Sequence, residues 1–302
     1  MAKWVDLIDP TPEELREKLP ASVQESALEI LLRPARHSDE PRPTLQAHGN
    51  YIFGIFLVAV AVKEEDRVFY QEVDALATRD VLVTVSKTPP GEHPYDPRPA
   101  RDACRAHDSG GMMLYRLVDD IAERYLDLVD TLDEEIDELE DSVETNDAET
   151  TRTRLSELRH DLLHIRRTLS PTRDAVRRVV DNVVEVETGE EVFPRDVEIA
   201  FNSAYDKLMR AFDGLELSRD LIGSVRDYLQ AKIANDQNEV MKKLTAIASL
   251  LLLPTFIVGL YGQNFRHHFP ELGWQWGYLY SWGLILATTI VQLIYFRRKR
   301  WI

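Results

Sequence analysis

The turn Tyr261-Gly262-Gln263-Asn264 closes a long apolar run and carries residue types suited to holding a hydrated cation. A helix that ends there leaves its last carbonyls without partners. Gly262 permits a left-handed backbone and a close approach of neighbouring chain. The Asn264 amide oxygen, repeated around a ring of copies, can accept hydrogen bonds from water bound to an ion. Mg²⁺ sheds water reluctantly, so neutral oxygens that hold its hydration shell suit it better than a tight carboxylate cage. Glycine followed two residues later by asparagine is also an ordinary helix C-cap. The turn alone leaves both readings open.

Upstream, Asn238, Met241, Thr245, Ala248, Leu252, Thr255 and Gly259 recur every three or four residues. They form one helical stripe of small, polar and flexible side chains. Such a stripe suits either the lining of an aqueous path or a dry helix–helix contact. Pro254 lacks an N–H and clashes with the preceding turn, so a kink is expected there.

These residues sit in the first of two uncharged stretches, 244–262 and 276–296. Each has about the 20 residues needed to cross a hydrocarbon core of roughly 30 Å. Two helices cannot enclose water, so conduction requires several copies around an axis. Lys242 and Lys243 precede the first stretch and Arg297-Arg298-Lys299-Arg300 follow the second, whereas the connection holds only Arg266, His267 and His268. Basic residues favour the cytoplasmic side. Both termini and the first 240 residues or so are therefore expected in the cytoplasm, with a multi-pass anchor in the plasma (inner) membrane. The N-terminal residues show no secretory signal. The single cysteine, Cys104, excludes an internal disulfide. A net charge of −16 argues against a nucleic-acid partner and is compatible with attracting cations.

Three segments are expected: an α/β domain over 1–110, a helical hairpin and stalk over 111–243, and the membrane hairpin over 244–302. Thr11-Pro12-Glu13-Glu14 reads as a helix start. Residues 50–60 and 80–85 read as buried strands, and the proline-rich stretch 89–99 closes the unit. Leu114 to Val143 and Leu155 to Val186 each carry apolar residues at helical spacing, with the first helix very acidic. Asn146-Asp147 separates them into an antiparallel pair, and Gly189 ends the second. Pro194 opens a third helix through Val197, Phe201, Ala204, Leu208, Ala211, Leu215, Ser218, Ile222, Val225 and Leu229. Nothing breaks that helix before the membrane, so Pro194 to Gly262 would form a stalk about 100 Å long.

The run Asn238-Glu239-Val240-Met241-Lys242-Lys243-Leu244-Thr245, then Pro254-Thr255-Phe256-Ile257 and Tyr261-Gly262-Gln263-Asn264-Phe265, resembles the CorA family of magnesium transporters. Phe269-Pro270-Glu271-Leu272, the aromatic stretch 274–278 and the basic tail extend the resemblance over essentially the whole chain. It implies an α+β cytoplasmic domain, a long helical stalk and two C-terminal transmembrane helices, assembled as a funnel-shaped homopentamer. Tyr261 to Asn264 would form the filter, and Leu252, Leu244, Met241 and Asn238 would line the path inward with Thr255. Glu271 would gather cations in the outer loop. Mg²⁺ would be both the transported ion and a regulatory ligand, held by Asp96 and a neighbouring stalk acid, Asp196 or Asp206. No organic cofactor is implied. The family's usual motif is Gly-Met-Asn, so Gln263 is a departure that bears on ion preference.

A zinc or broad-specificity transporter (Co²⁺, Ni²⁺, Zn²⁺), with or without proton coupling, is the nearest alternative. A two-span signalling receptor fits less well, because the outer loop is only about a dozen residues long. An enzyme is not expected: there is no Walker-type phosphate loop. His160 and His164 lack a Glu-x-x-His arrangement and read as an interhelical polar pair. A divalent ion crossing 100 mV gains about 4.6 kcal/mol, so a passive channel suffices for uptake.

Overall fold

The computed structural model describes residues 2–20, 23–35, 40–62, 67–184, 186, 191–263 and 273–302. The chain divides into two compact units, Met1–Arg226 and Asp227–Ile302.

The first unit is built on five strands: β1 (Lys3–Ile8), β2 (Thr44–His48), β3 (Tyr51–Val62), β4 (Arg67–Ala77) and β5 (Val81–Lys87). Their order is β1-β5-β4-β3-β2. Strands β2 to β5 form an antiparallel meander, and β1 returns to pair parallel with β5. Two helices, α1 (Pro12–Lys18) and α2 (Glu25–Leu31), join β1 to the meander. Thr11 and Glu14 form a reciprocal capping box at the start of α1, as the Thr-Pro-Glu-Glu sequence predicts. Leu15, Ala27 and Leu31 pack against Tyr51, Phe53, Ile55, Leu76, Val83 and Val85 on one sheet face. Successive strand residues alternate sides, so buried Phe56, Val58, Val73, Ala75 and Leu82 point to the other face.

A short helix, α3 (Arg98–Asp102), precedes two helices of 33 residues each, α4 (Gly110–Ser142) and α5 (Ala148–Val180). Helix α4 packs on β1, β3, β4 and β5, and α5 on β2 and β3. The close approach at the start of α4 requires glycine. A Cβ on Gly110 would lie 2.0 Å from the Thr78 carbonyl oxygen, and one on Gly111 equally close to that of Val192. Tyr125 ties the layers together, since its buried hydroxyl lies 2.8 Å from the Leu57 carbonyl oxygen and 2.9 Å from the Thr168 hydroxyl. The Asp147 carboxylate caps α5 by accepting from the Thr150 N–H, so the break at Asn146-Asp147 is where the sequence places it.

The end of α5 corrects the sequence reading. The helix stops at Val180, not at Gly189. Asn182 takes the left-handed conformation at φ +54°. The Val183 N–H then reaches the Arg178 carbonyl at 2.9 Å and the Asn182 N–H reaches that of Val179 at 3.0 Å. This pair of bonds is a Schellman closure. Val183 is 60 % exposed, so its apparent helical spacing is coincidental. Gly189 itself lies outside the described residues.

The last helix to enter the first unit, α6, runs unbroken from Arg195 to Tyr261 over 67 residues. Pro194 stands just before it, its carbonyl accepting from the Val197 and Glu198 N–H groups. The expected apolar face from Val197 through Leu229 is buried throughout. In the second unit α6 is followed by α7 (Gly277–Arg298), and both are long and apolar enough to cross a membrane.

Candidate ion-conduction site

Within the second unit, α6 turns one side toward α7. Gln292 on α7 donates to the Ser249 hydroxyl at 3.0 Å and to its carbonyl at 3.2 Å. Ala246 and Ile257 are buried, while Ser249, Leu250, Leu253 and Pro254 are half-buried. These positions follow one another by three or four residues and define a single helix face. Asn238, Met241, Leu244, Thr245, Ala248, Leu252, Thr255 and Gly259 are all exposed. At 100° per residue their stripe centres on the side away from the buried Ala246 and Ile257, with Thr245 and Leu252 at its edge nearest Ser249. The polar stripe is therefore not the contact within the hairpin.

Thr255 donates its hydroxyl proton to the Leu251 carbonyl at 2.7 Å, so its oxygen lone pairs remain to face outward as acceptors. Only 11 % of the apolar window of α6 and 6 % of that of α7 are buried, which leaves large apolar surfaces for lipid or further copies. Trp274, Trp276, Tyr278, Tyr280 and Trp282 are exposed around the start of α7, and Arg297 and Arg298 occupy its last turn. Aromatic residues at one end and basic residues at the other suit the two interfaces of a bilayer.

At the end of α6 the Gly262 N–H bonds the Val258 carbonyl at 2.9 Å, continuing the helical pattern past Tyr261. Gly262 does not take the left-handed conformation expected for a cap. A Cβ there would meet the Val258 oxygen at 3.1 Å, a tight contact. Gly262 and Gln263 are exposed and Tyr261 is half-buried. Asn264, His267, His268 and Glu271 lie outside the described residues.

The three acids expected at a regulatory site fall on two elements. Asp196 occupies the first turn of α6 and Asp206 lies further along it, both exposed. Asp96 lies in the loop before α3, gripped by Arg98. The Arg98 Nε lies 2.9 Å from both carboxylate oxygens, its Nη2 2.7 Å from Oδ2, and its backbone N–H 3.0 Å from Oδ1. Those hydrogen bonds lower the Asp96 pKa to about 2. Among the described residues no group of three or more His, Cys, Asp or Glu side chains is placed to hold a metal.

Sequence reasoning missed an ion cluster buried in the sheet. Glu72 and Asp74 share one face of β4, and the register puts Lys87 of β5 opposite Glu72. Lys87 Nζ bonds Glu72 Oε1, lies 2.8 Å from Asp74 Oδ2, and donates to the Ile30 carbonyl at the end of α2 at 2.9 Å. Acids at alternate positions of a buried strand, answered by one lysine, are the signal that would have found it.

The sequence matches the family described as CorA-like Mg²⁺ transporter protein over residues 2–298. The chain belongs to this family. The Thermotoga maritima cobalt/magnesium transport protein CorA is 29 % identical over 268 residues, covering 86 % of this chain and 73 % of that protein. The putative metal ion transporter YfjQ of Bacillus subtilis is 33 % identical over 193 residues, 63 % of this chain and 58 % of that one. The complete structure of the CorA magnesium transporter from Methanocaldococcus jannaschii shares the fold. Its TM-score is 0.76 at 20 % identity, and the match covers 99 % of this chain and 91 % of that one. CorA membership and the two apolar helices make this a membrane protein that transports divalent cations, not an enzyme.

Proposed function

We propose that the chain is a Mg²⁺ uptake channel, a homopentamer in the plasma (inner) membrane with both termini in the cytoplasm. The observation that carries this reading is the exposed stripe from Asn238 to Gly259, turned away from α7. Repeated around an axis, it supplies a path lined by Asn238, Thr245 and Thr255, with Met241, Leu244 and Leu252 as an apolar constriction. Gly262, Gln263 and Asn264 then form the outer mouth with Tyr261, and Glu271 gathers cations beside it. The membrane potential supplies the drive, about 4.6 kcal/mol per divalent ion at 100 mV, equivalent to more than a thousandfold accumulation.

Flux from purified full-length protein in liposomes tests this, with a K⁺ diffusion potential and Mg²⁺, Co²⁺, Ni²⁺ or Zn²⁺ supplied in turn. The expected result is Mg²⁺ entry that grows with internal negative potential and ignores a pH gradient. Entry of Zn²⁺ but not Mg²⁺, or entry that requires a proton gradient, favours the second reading, a zinc or broad-specificity transporter. That alternative rests on Gln263, whose amide stands where the family carries methionine.

Cytosolic Mg²⁺ closes the channel in this scheme by binding Asp96 together with Asp196 or Asp206 of a neighbouring copy. Arg98 then acts as a built-in rival cation, because its guanidinium already fills both carboxylate oxygens. Arg98→Ala is expected to raise the Asp96 pKa from about 2 toward the ordinary aspartate value, measured by NMR titration of the side-chain carboxyl. It should also lower the internal Mg²⁺ concentration needed for closure. Unchanged closure in Asp96→Ala removes Asp96 from the regulatory site.

A further inference from the structure

The first unit contains a cavity of about 640 Å³ between α5, β3 and the segment preceding β2. Its lining includes Arg42, Arg166, Arg167, His164, Thr168 and Ser170, over apolar surface from Pro41, Leu57 and Pro171. None of these residues belongs to the conduction path or to the acids assigned to regulation.

The charge of this cavity opposes that of the molecule. The chain carries a net charge of −16, yet three arginines and a histidine line this opening against one acid, Glu40. Arg166 pairs with Glu216 at 2.9 Å and lies over the Phe212 ring, which fixes its position. Arg42 and Arg167 form no ion pair among the described residues and are exposed. Two unneutralised guanidiniums beside a third that is held in place leave a local positive field. The His164 pKa is lowered by burial first, then by His160 and Arg167.

The neutral groups supply donors as well. His164 stacks on the Tyr70 ring at 6.3 Å. The Ser170 hydroxyl lies on the same wall.

We propose that this cavity binds a phosphorylated small molecule about the size of a nucleotide. Guanidinium forks match the paired oxygens of phosphate, and their charge does not depend on pH near neutrality. The volume falls within the range of small-molecule sites and exceeds the needs of one phosphate ion. The apolar wall of Leu57, Pro41 and Pro171 takes the uncharged part of such a ligand. This site is separate from ion conduction and stands or falls without it.

The test is isothermal titration of ADP into the full-length protein in detergent, with EDTA present so that no divalent cation bridges the anion. Saturable binding of one ADP per chain is expected. Arg42→Gln and Arg167→Gln, both at exposed positions, should each weaken it at least tenfold. Arg178→Gln, on the same helix but outside the cavity, should leave it unchanged. Absence of saturable binding below millimolar ADP overturns the proposal, as does equal affinity in Arg167→Gln and Arg178→Gln.

Discussion

Replacing Asn264 with alanine is expected to reduce Mg²⁺ flux into liposomes at least tenfold, with assembly and membrane insertion unchanged. Under the proposed filter assignment, each copy loses one amide oxygen that would accept from water around the ion. A hydrogen bond involving a charged partner is worth about 1.5–3 kcal/mol. A single loss of about 1.4 kcal/mol already changes an equilibrium tenfold, and every copy in the ring loses one. Among the described residues the helical bonding of α6 continues to Gly262, two positions before Asn264. Entry measured with a Mg²⁺-sensitive dye separates the outcomes: flux equal to that of the unaltered protein would sink the filter assignment. Gln263→Met serves as the companion variant and should keep Mg²⁺ flux while changing the ratio of Mg²⁺ to Co²⁺ entry.

Lys87→Met is expected to destabilise the first unit by about 3–5 kcal/mol, the range found when one partner of a buried ion pair is removed. Lys87 is 2 % exposed and Asp74 wholly buried, so the two carboxylates cannot turn to water once the ammonium is gone. The same cluster gives the unaltered protein a pH dependence of fixed sign. Burial, outweighing the attraction of Lys87, raises the Asp74 pKa to about 7. The folded state therefore holds a proton that the unfolded chain, near the ordinary aspartate value, releases. That stabilisation is full below about pH 4 and is lost as pH rises through about 7. Chemical unfolding of the full chain, followed by circular dichroism at pH 5 and 8, should show lower stability at pH 8. Asp74→Asn should flatten the difference. A Lys87→Met protein within about 1 kcal/mol of the original at pH 8 would show that the lysine does not neutralise this pair.

The helices were legible because their signal is local and repeats many times. Val197 to Leu229 recur at helical spacing, and each of the named residues is buried. Strand β3 was legible as an uninterrupted apolar run. Strands β1 and β4 were not, because Asp6 in one and Gln71, Glu72 and Asp74 in the other break the apolar pattern. Those polar groups are tolerated only because partners far along the chain reach them. Thr84 donates to Asp6 at 2.8 Å, and Lys87 answers Glu72 and Asp74. Asn182 carried the information for ending α5, but a left-handed asparagine is visible only once the closure bonds are seen. In the candidate site the stripe on α6 followed from spacing alone, whereas its separation from the α7 contact required Gln292 and Ser249. The grip of Arg98 on Asp96 spans only two residues, yet spacing does not say which way a guanidinium folds.

Strand β1 has a consequence for the order in which the first unit assembles. Strands β2 to β5 are successive in the chain and close through short connections, but Lys3 must find Val81. Closing the longer loop carries more entropy cost, and contacts distant in sequence form slowly. The meander is thus the early nucleus and β1 the late arrival, joining as a parallel edge. Trp4, the only tryptophan before Trp274, sits on this seam with its indole N–H 2.9 Å from the Thr84 hydroxyl. The molecule carries its own fluorescent reporter on the last strand to dock.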